Sequence, residues 1–107
     1  MAYYLFQAAY TPEALAALIK KPQNRIEIVR ESIEKLGGKV HGGWFCFGEF
    51  DVALISELPD NVTAAAFAVA AAAGGALKAN KTTPLFSPEE MVELFKKAGK
   101  TGYRPPK

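Results

Sequence analysis

The spacing of apolar and polar positions changes several times along the 107-residue chain, and each change marks an element. Ala2 to Ala9 alternates, with Tyr4, Phe6 and Ala8 on one side and Tyr3, Leu5 and Gln7 on the other, which is the two-residue period of a strand. At Thr11-Pro12-Glu13 the pattern turns helical. A hydroxyl sits at the N-cap, proline at the first helical position and an acid near the positive end of the dipole. Leu15, Leu18 and Ile19 form that helix's inner face until Pro22 interrupts it, since a proline inside a helix removes a hydrogen bond and clashes with the preceding turn. The helix resumes at about Gln23, and Ile26, Val29, Ile33 and Leu36 make one apolar stripe. Gly37-Gly38 stops it, one of the pair taking the left-handed C-cap conformation.

Lys39 to Phe47 and Asp51 to Leu58 then read as two strands joined by a short turn at Gly48-Glu49. Gly42-Gly43 predicts a bulge or a close backbone approach within the first of them. Trp44-Phe45-Cys46-Phe47 and Val52-Ala53-Leu54-Ile55 do not alternate cleanly, so the hairpin is expected to be buried on both faces. Pro59-Asp60-Asn61, with Asp60 or Asn61 as cap, opens an alanine-rich helix through Ala64 to Ala73, which Gly74-Gly75 ends. Ala76 to Leu85 reads as a fourth strand whose polar centre (Lys78, Asn80, Lys81, Thr82, Thr83) suits an edge or a pocket wall. Ser87-Pro88-Glu89-Glu90 has capping-box spacing and starts a short helix over Met91 to Lys97.

The order β-α-β-β-α-β plus a terminal helix predicts an α+β, ferredoxin-like sandwich. Residues 1–98 form its single domain. The tail 99–107, rich in glycine and proline, is either a frayed end or an arm over a neighbouring subunit. Helices cover one sheet face. The other carries too much apolar side chain for water, so two sheets are expected to pack face to face as a dimeric α+β barrel, a homodimer or higher oligomer.

Composition narrows the partners. The net charge is only +2, and Lys20, Lys21, Arg25, Arg30, Lys35 and Lys39 are interleaved with Glu27, Glu31 and Glu34. That is a solvated helix face, so no nucleic-acid partner is expected. Val62 to Leu77 is too short and too weakly hydrophobic to span a bilayer, and Met1-Ala2-Tyr3-Tyr4 has no basic stretch followed by an apolar core, so no signal peptide is expected. With one cysteine no intrachain disulfide can form, so a cytoplasmic setting is expected. Cys46, between Phe45 and Phe47, reads as a small buried hydrophobe.

Few residues offer chemistry. His41, the only histidine, falls mid-strand, and alternation groups it with Lys39, Gly43, Phe45 and Phe47. It suits a general base in an apolar pocket, or else a hydrogen-bonded, partly exposed residue. Asp51 is placed to orient it or bind a ligand, or else to cap backbone N–H groups after the turn. Tyr3, Tyr4, Phe6, Trp44 and Phe50 either line a small pocket or form core, and Gln7, Asn80 and Thr82 are the polar groups most able to face such a pocket. Arg25 and Arg30 are candidates to meet a carboxylate there or to pair with Glu27, Glu31 or Glu34. A lone histidine without a Cys/Asp/Glu cluster gives no metal site, no phosphate-binding loop is present, and no cofactor is expected.

Lys35-Leu36-Gly37-Gly38-Lys39, Gly48-Glu49-Phe50-Asp51, Glu57-Leu58-Pro59-Asp60 and the alanine-rich helix together resemble the GYD-domain family, named for a Gly-x-Tyr-Asp motif. The resemblance covers about Tyr4 to Val92, includes Arg25 after Lys21-Pro22, and departs at Phe50, where the family's tyrosine stands. It implies a ferredoxin-like, oligomeric fold. The Gly-x-Tyr-Asp pattern is also similar to one in the ligand-binding domains of feast/famine transcription regulators, which bind amino acids between paired ferredoxin-like units. This chain has no helix-turn-helix, so only the binding half of that comparison carries over. The expected function is binding of a small aromatic or carboxylate ligand in an intersubunit or sheet–helix pocket, with Tyr4, Phe6, Trp44, Phe50, Asn80 and Arg25 as contacts. The alternatives are a cofactor-independent oxygenase or isomerase with His41 as base and Asp51 as its orienter, and a purely structural module.

Overall fold

A computed structural model describes residues 1–106. Its elements are β1 (Ala2–Tyr10), α1 (Pro12–Lys20), α2 (Arg25–Lys35), β2 (Lys39–Phe45), β3 (Val52–Leu58), α3 (Asn61–Ala73), β4 (Leu77–Leu85) and α4 (Pro88–Ala98). The strands form one antiparallel sheet in the order β2-β3-β1-β4, with β4 at an edge. With helices between β1 and β2 and between β3 and β4, this is the ferredoxin-like α+β arrangement that the order of elements implies.

Side-chain caps set the helix boundaries. The Thr11 hydroxyl accepts from the Ala14 N–H, the Asp60 carboxylate from Thr63 N–H at 2.8 Å, and Ser87 and Glu90 close a reciprocal capping box. Pro22 does more than interrupt one helix: α1 and α2 are separate, and Asn24, which the sequence pattern alone did not single out, caps α2 through the Ile26 and Glu27 N–H groups. Gly37 ends α2 at φ +83°, with the Gly38 N–H returning to the Ile33 carbonyl at 3.0 Å.

One sheet face packs under α1, α2 and α3. Tyr4, Phe6, Tyr10, Ile33, Val40, Val52, Leu54, Leu58 and Ala64 form the core there. The cross-strand pairs Tyr3–Glu57, Leu5–Ile55, Trp44–Ala53 and Leu5–Thr83 lie on the opposite, open face. Two expectations about the hairpin are corrected. β2 ends at Phe45, so the connection is the loop Cys46–Asp51 rather than a tight turn; Asp51 is held there by its N–H to the Ala8 carbonyl and its own carbonyl to the Cys46 N–H. And β2 is an edge strand whose Trp44 and Phe45 are 57% and 62% exposed, so burial on both faces does not hold for it within one chain.

Between Val40 and Gly42 the β2–β3 register slips by one residue, which is the bulge that Gly42-Gly43 foreshadowed. The extra residue is His41. Beyond it the faces exchange: Gly43 and Phe45 pair with Leu54 and Val52 on the covered face, while His41 stays with Lys39 on the open one. The predicted grouping of His41 with Gly43, Phe45 and Phe47 fails for that reason, because strict alternation cannot pass through a bulge.

Candidate functional site

Alanine shapes a cavity between α3, α2 and the sheet. On α3, Ala64 is buried and Ala68 and Ala71 face inward, but methyl groups cannot fill the space between this helix, α2 and the sheet. A cavity of about 280 Å³ remains, with Phe6, Val52 and Leu54 of the sheet, Phe67, Ala68 and Ala71 of α3, and Val29 of α2 among its walls. Phe67 meets Phe6 edge-on at 5.2 Å between ring centres. Asn80 and Thr82 enter from β4, the Asn80 side-chain amide donating to the Ala68 carbonyl at 3.0 Å, so one polar wall is fixed to the helix it faces.

Arg25 completes the wall from the first residue of α2. A cation there meets the unfavourable, positive end of the helix dipole. Its guanidinium donates only to Gln23 Oε1 at 3.3 Å and makes no ion pair among the described residues. Arg30, one turn on, is satisfied by contrast: it pairs with Glu27 at 3.4 Å and donates to the Val40 carbonyl at 3.2 Å. Arg25 also borders a second, more open apolar depression formed with Leu15, Leu18, Ile26 and Phe45.

Of the six ligand-contact candidates, Phe6, Asn80 and Arg25 meet at the cavity. The other three lie elsewhere. Tyr4 is buried, its hydroxyl donating to Asn61 Oδ1 at 2.6 Å, and burial raises its pKa. Trp44 lies on the open face, its ring over Gly42, where an added Cβ would come within 2.6 Å of it. Phe50 is half-buried in the β2–β3 loop, and its carbonyl accepts from Cys46 Sγ.

His41 and Asp51 do not meet. The Asp51 carboxylate accepts from the Tyr10 N–H at 2.9 Å and serves the backbone. The group that faces His41 is Glu57, with Nε2 to Oε1 at 2.6 Å, and the imidazole stacks on Tyr3 at 5.1 Å. The hydrogen bond to His41 holds the Glu57 carboxyl below its usual range, and the Glu57 charge is the main reason the Tyr3 pKa is raised. Sequence reasoning missed Glu57. Counting outward from the Phe45–Val52 pair sets Glu57 opposite Val40, and only the inserted His41 brings it opposite Lys39, so the sequence pattern carries no signal for this pairing. This cluster borders neither cavity. Among the described residues no three His, Cys, Asp or Glu side chains converge as a metal site, and no helix is long and apolar enough to cross a membrane.

A four-stranded antiparallel sheet ordered β2-β3-β1-β4, with helices over one face and a cavity beneath them, defines a small ferredoxin-like α+β protein. The model of the GYD domain family matches residues 4–95, and the chain belongs to that family. No curated protein matches it.

Proposed function

We propose that the protein binds a small carboxylate with an apolar, single-ring body in the cavity between α2, α3 and the sheet. The observation that carries this reading is Arg25: a guanidinium without a carboxylate partner on the wall of a mostly apolar cavity whose other polar lining residues include Gln7, Asn80, Lys81 and Thr82. A volume of about 280 Å³ is near the lower end for small-molecule sites and suits one ring plus a carboxylate. Phe6 and Phe67, packed on each other, would meet one side of the ring, Arg25 would take the carboxylate, and Asn80 and Thr82 would fix its orientation. Such a cavity with convergent polar groups argues against a purely structural module.

Benzoate and phenylacetate titrated by calorimetry, against benzamide as the uncharged isostere, test the proposal. Ligands of this size should bind with dissociation constants of about 0.1–1 mM, the amide at least 10-fold more weakly, and Arg25→Gln should erase the difference. Equal binding of acid and amide, or no binding of either at 10 mM, would overturn it.

The same reading includes self-association through the open sheet face, where Tyr3 and Trp44 are 44% and 57% exposed beside half-buried Leu5 and Ile55. A cytoplasmic setting accords with the single, free Cys46. The His41–Glu57 bond supports a second, catalytic reading, with Glu57 in place of Asp51 as the orienting group. Its test is deuterium exchange at the acidic carbon of a 1,3-diketone. Catalysis by the wild type that is lost in His41→Gln supports a base at His41, and equal rates dismiss it.

A further inference from the structure

The terminal helix is the one element without a place in the core. Every residue of α4 is exposed except half-buried Leu94, although Met91, Leu94, Phe95 and Ala98 form a continuous apolar stripe at offsets 0, 3, 4 and 7. Met91 and Phe95 are 45% and 63% exposed. The helix is nonetheless built to exist, with a complete capping box, acids in its first turn and lysines in its last. An 11-residue helix is marginal alone in water and takes its stability from packing an apolar face. Among the described residues no other element packs extensively on it. The radius of gyration is 17.0 Å, whereas a compact chain of this length has about 13 Å, and the longest dimension is 57 Å.

A second surface on the same molecule lacks a cover, and its chemistry fits. The open sheet face is apolar at Leu5, Ile55, Trp44 and Leu85 and basic at Lys39 and Lys81, while the first turn of α4 carries Glu89 and Glu90. The register adds a geometric argument. Leu85, Tyr3, Glu57 and Lys39 lie on one line across the sheet, so the end of β4 at one edge is level with the start of β2 at the other. When two open faces meet about a two-fold axis parallel to the strands, the end of each β4 stands over the start of the partner's β2. Only Phe86 and Ser87 then separate that point from α4.

We propose that α4 is an exchanged arm: in a homodimer whose sheets pair by their open faces, each α4 lays its Met91-Leu94-Phe95 stripe along the end of the second copy's open face, beside the partner's Lys39 and over the partner's Tyr3–His41–Glu57 cluster. The arm excludes water from that cluster, so the polar group on the open face becomes an intersubunit one. This rests on the pairing of open faces and is independent of the cavity's ligand.

Sedimentation of the full-length chain and of the Leu94→Glu/Phe95→Glu double variant tests it, with circular dichroism to check that the body stays folded. The wild type should be a dimer, and the variant's dissociation constant should rise at least about 1,000-fold, four apolar side chains being lost per dimer. In a second experiment, in a Cys46→Ser background, a chain with Lys39→Cys is mixed with one carrying Met91→Cys and oxidised; a disulfide-linked heterodimer is expected. A dimer unaffected by the double variant overturns the arm and leaves face pairing standing, whereas a monomeric wild type overturns both. A chain carrying both cysteines that closes only on itself, or a mixture that forms no heterodimer, also overturns the exchange.

Discussion

Replacing Ala71 with leucine separates a binding cavity from a well-filled wall by the sign of its effect. Ala71 lines the space under α3 and is half-buried, and the added side chain points into about 280 Å³ of unfilled volume. Three further carbons buried from water contribute up to about 2.4 kcal/mol, and ordering the leucine costs about 0.5–1 kcal/mol. The net gain is about 1.5 kcal/mol, which for a domain of this size raises Tm by roughly 6 °C or more. Urea and thermal unfolding followed at 222 nm measure it. Ala72→Leu, on the exposed side of the same helix, is the control and should stay within about 0.5 kcal/mol of wild type. The same Ala71→Leu protein should lose the stabilisation that benzoate confers, because the side chain occupies the ligand's place. A fall in Tm for Ala71→Leu, as expected of overpacking, would refute the reasoning at its root. An intact benzoate response would move the binding site elsewhere.

Three further perturbations follow from individual positions. Gly38→Ala should cost about 2–3 kcal/mol in urea unfolding, because the new Cβ would stand 2.5 Å from the Glu57 carbonyl oxygen and 2.9 Å from Ile33 Cγ2, and the backbone oxygen cannot swing aside; a neutral result would mean that α2 and β2 separate freely there. Ser56→Ala should raise stability by up to about 1 kcal/mol, since the fully buried Ser56 hydroxyl has no hydrogen-bond partner, and a loss on calorimetry would contradict this. For acid unfolding the sign comes from Glu57 and Asp60, both held below the usual carboxylate range, Glu57 chiefly by His41 and Asp60 chiefly by the Thr63 N–H. Unfolded carboxyls take up protons first, so this stabilisation is complete above their ordinary range and is lost as pH falls through the lowered values. Glu57→Gln should make the acid limb of urea midpoint against pH shallower, and an unchanged limb would show that the His41–Glu57 bond does not form in solution.

What the sequence made legible depended on how local the cause was. Helix starts at Thr11, Asp60 and Ser87 and the stop at Gly37-Gly38 were readable because caps act within a turn of the residues that encode them. The strand order was readable at the next level, since few topologies bury the faces of four strands and their crossover helices. The candidate site divided along the same line. Phe6, Asn80 and Arg25 stand out in the sequence for their chemistry, and the fold brings them to one cavity because they sit on a strand face, an edge strand and a helix start that all face inward. The pairing of His41 was not readable, because it turns on one inserted residue: without the bulge, alternation would carry Lys39, His41 and Gly43 along a single face, and Glu57 would have no reason to be chosen over Asp51. Asp51 was drawn instead to the Tyr10 N–H, a demand of the β1–β3 pairing that becomes visible only once the strands are laid side by side. The contrast between Arg25 and Arg30 is of the same kind. Both lie on one acid-rich helix, and only the three-dimensional arrangement decides that Glu27 and the Val40 carbonyl satisfy Arg30 while Arg25 is left facing the cavity. An unpaired cation is therefore the feature on which a ligand's charge can be predicted here, and it is a property of the folded chain rather than of any segment of it.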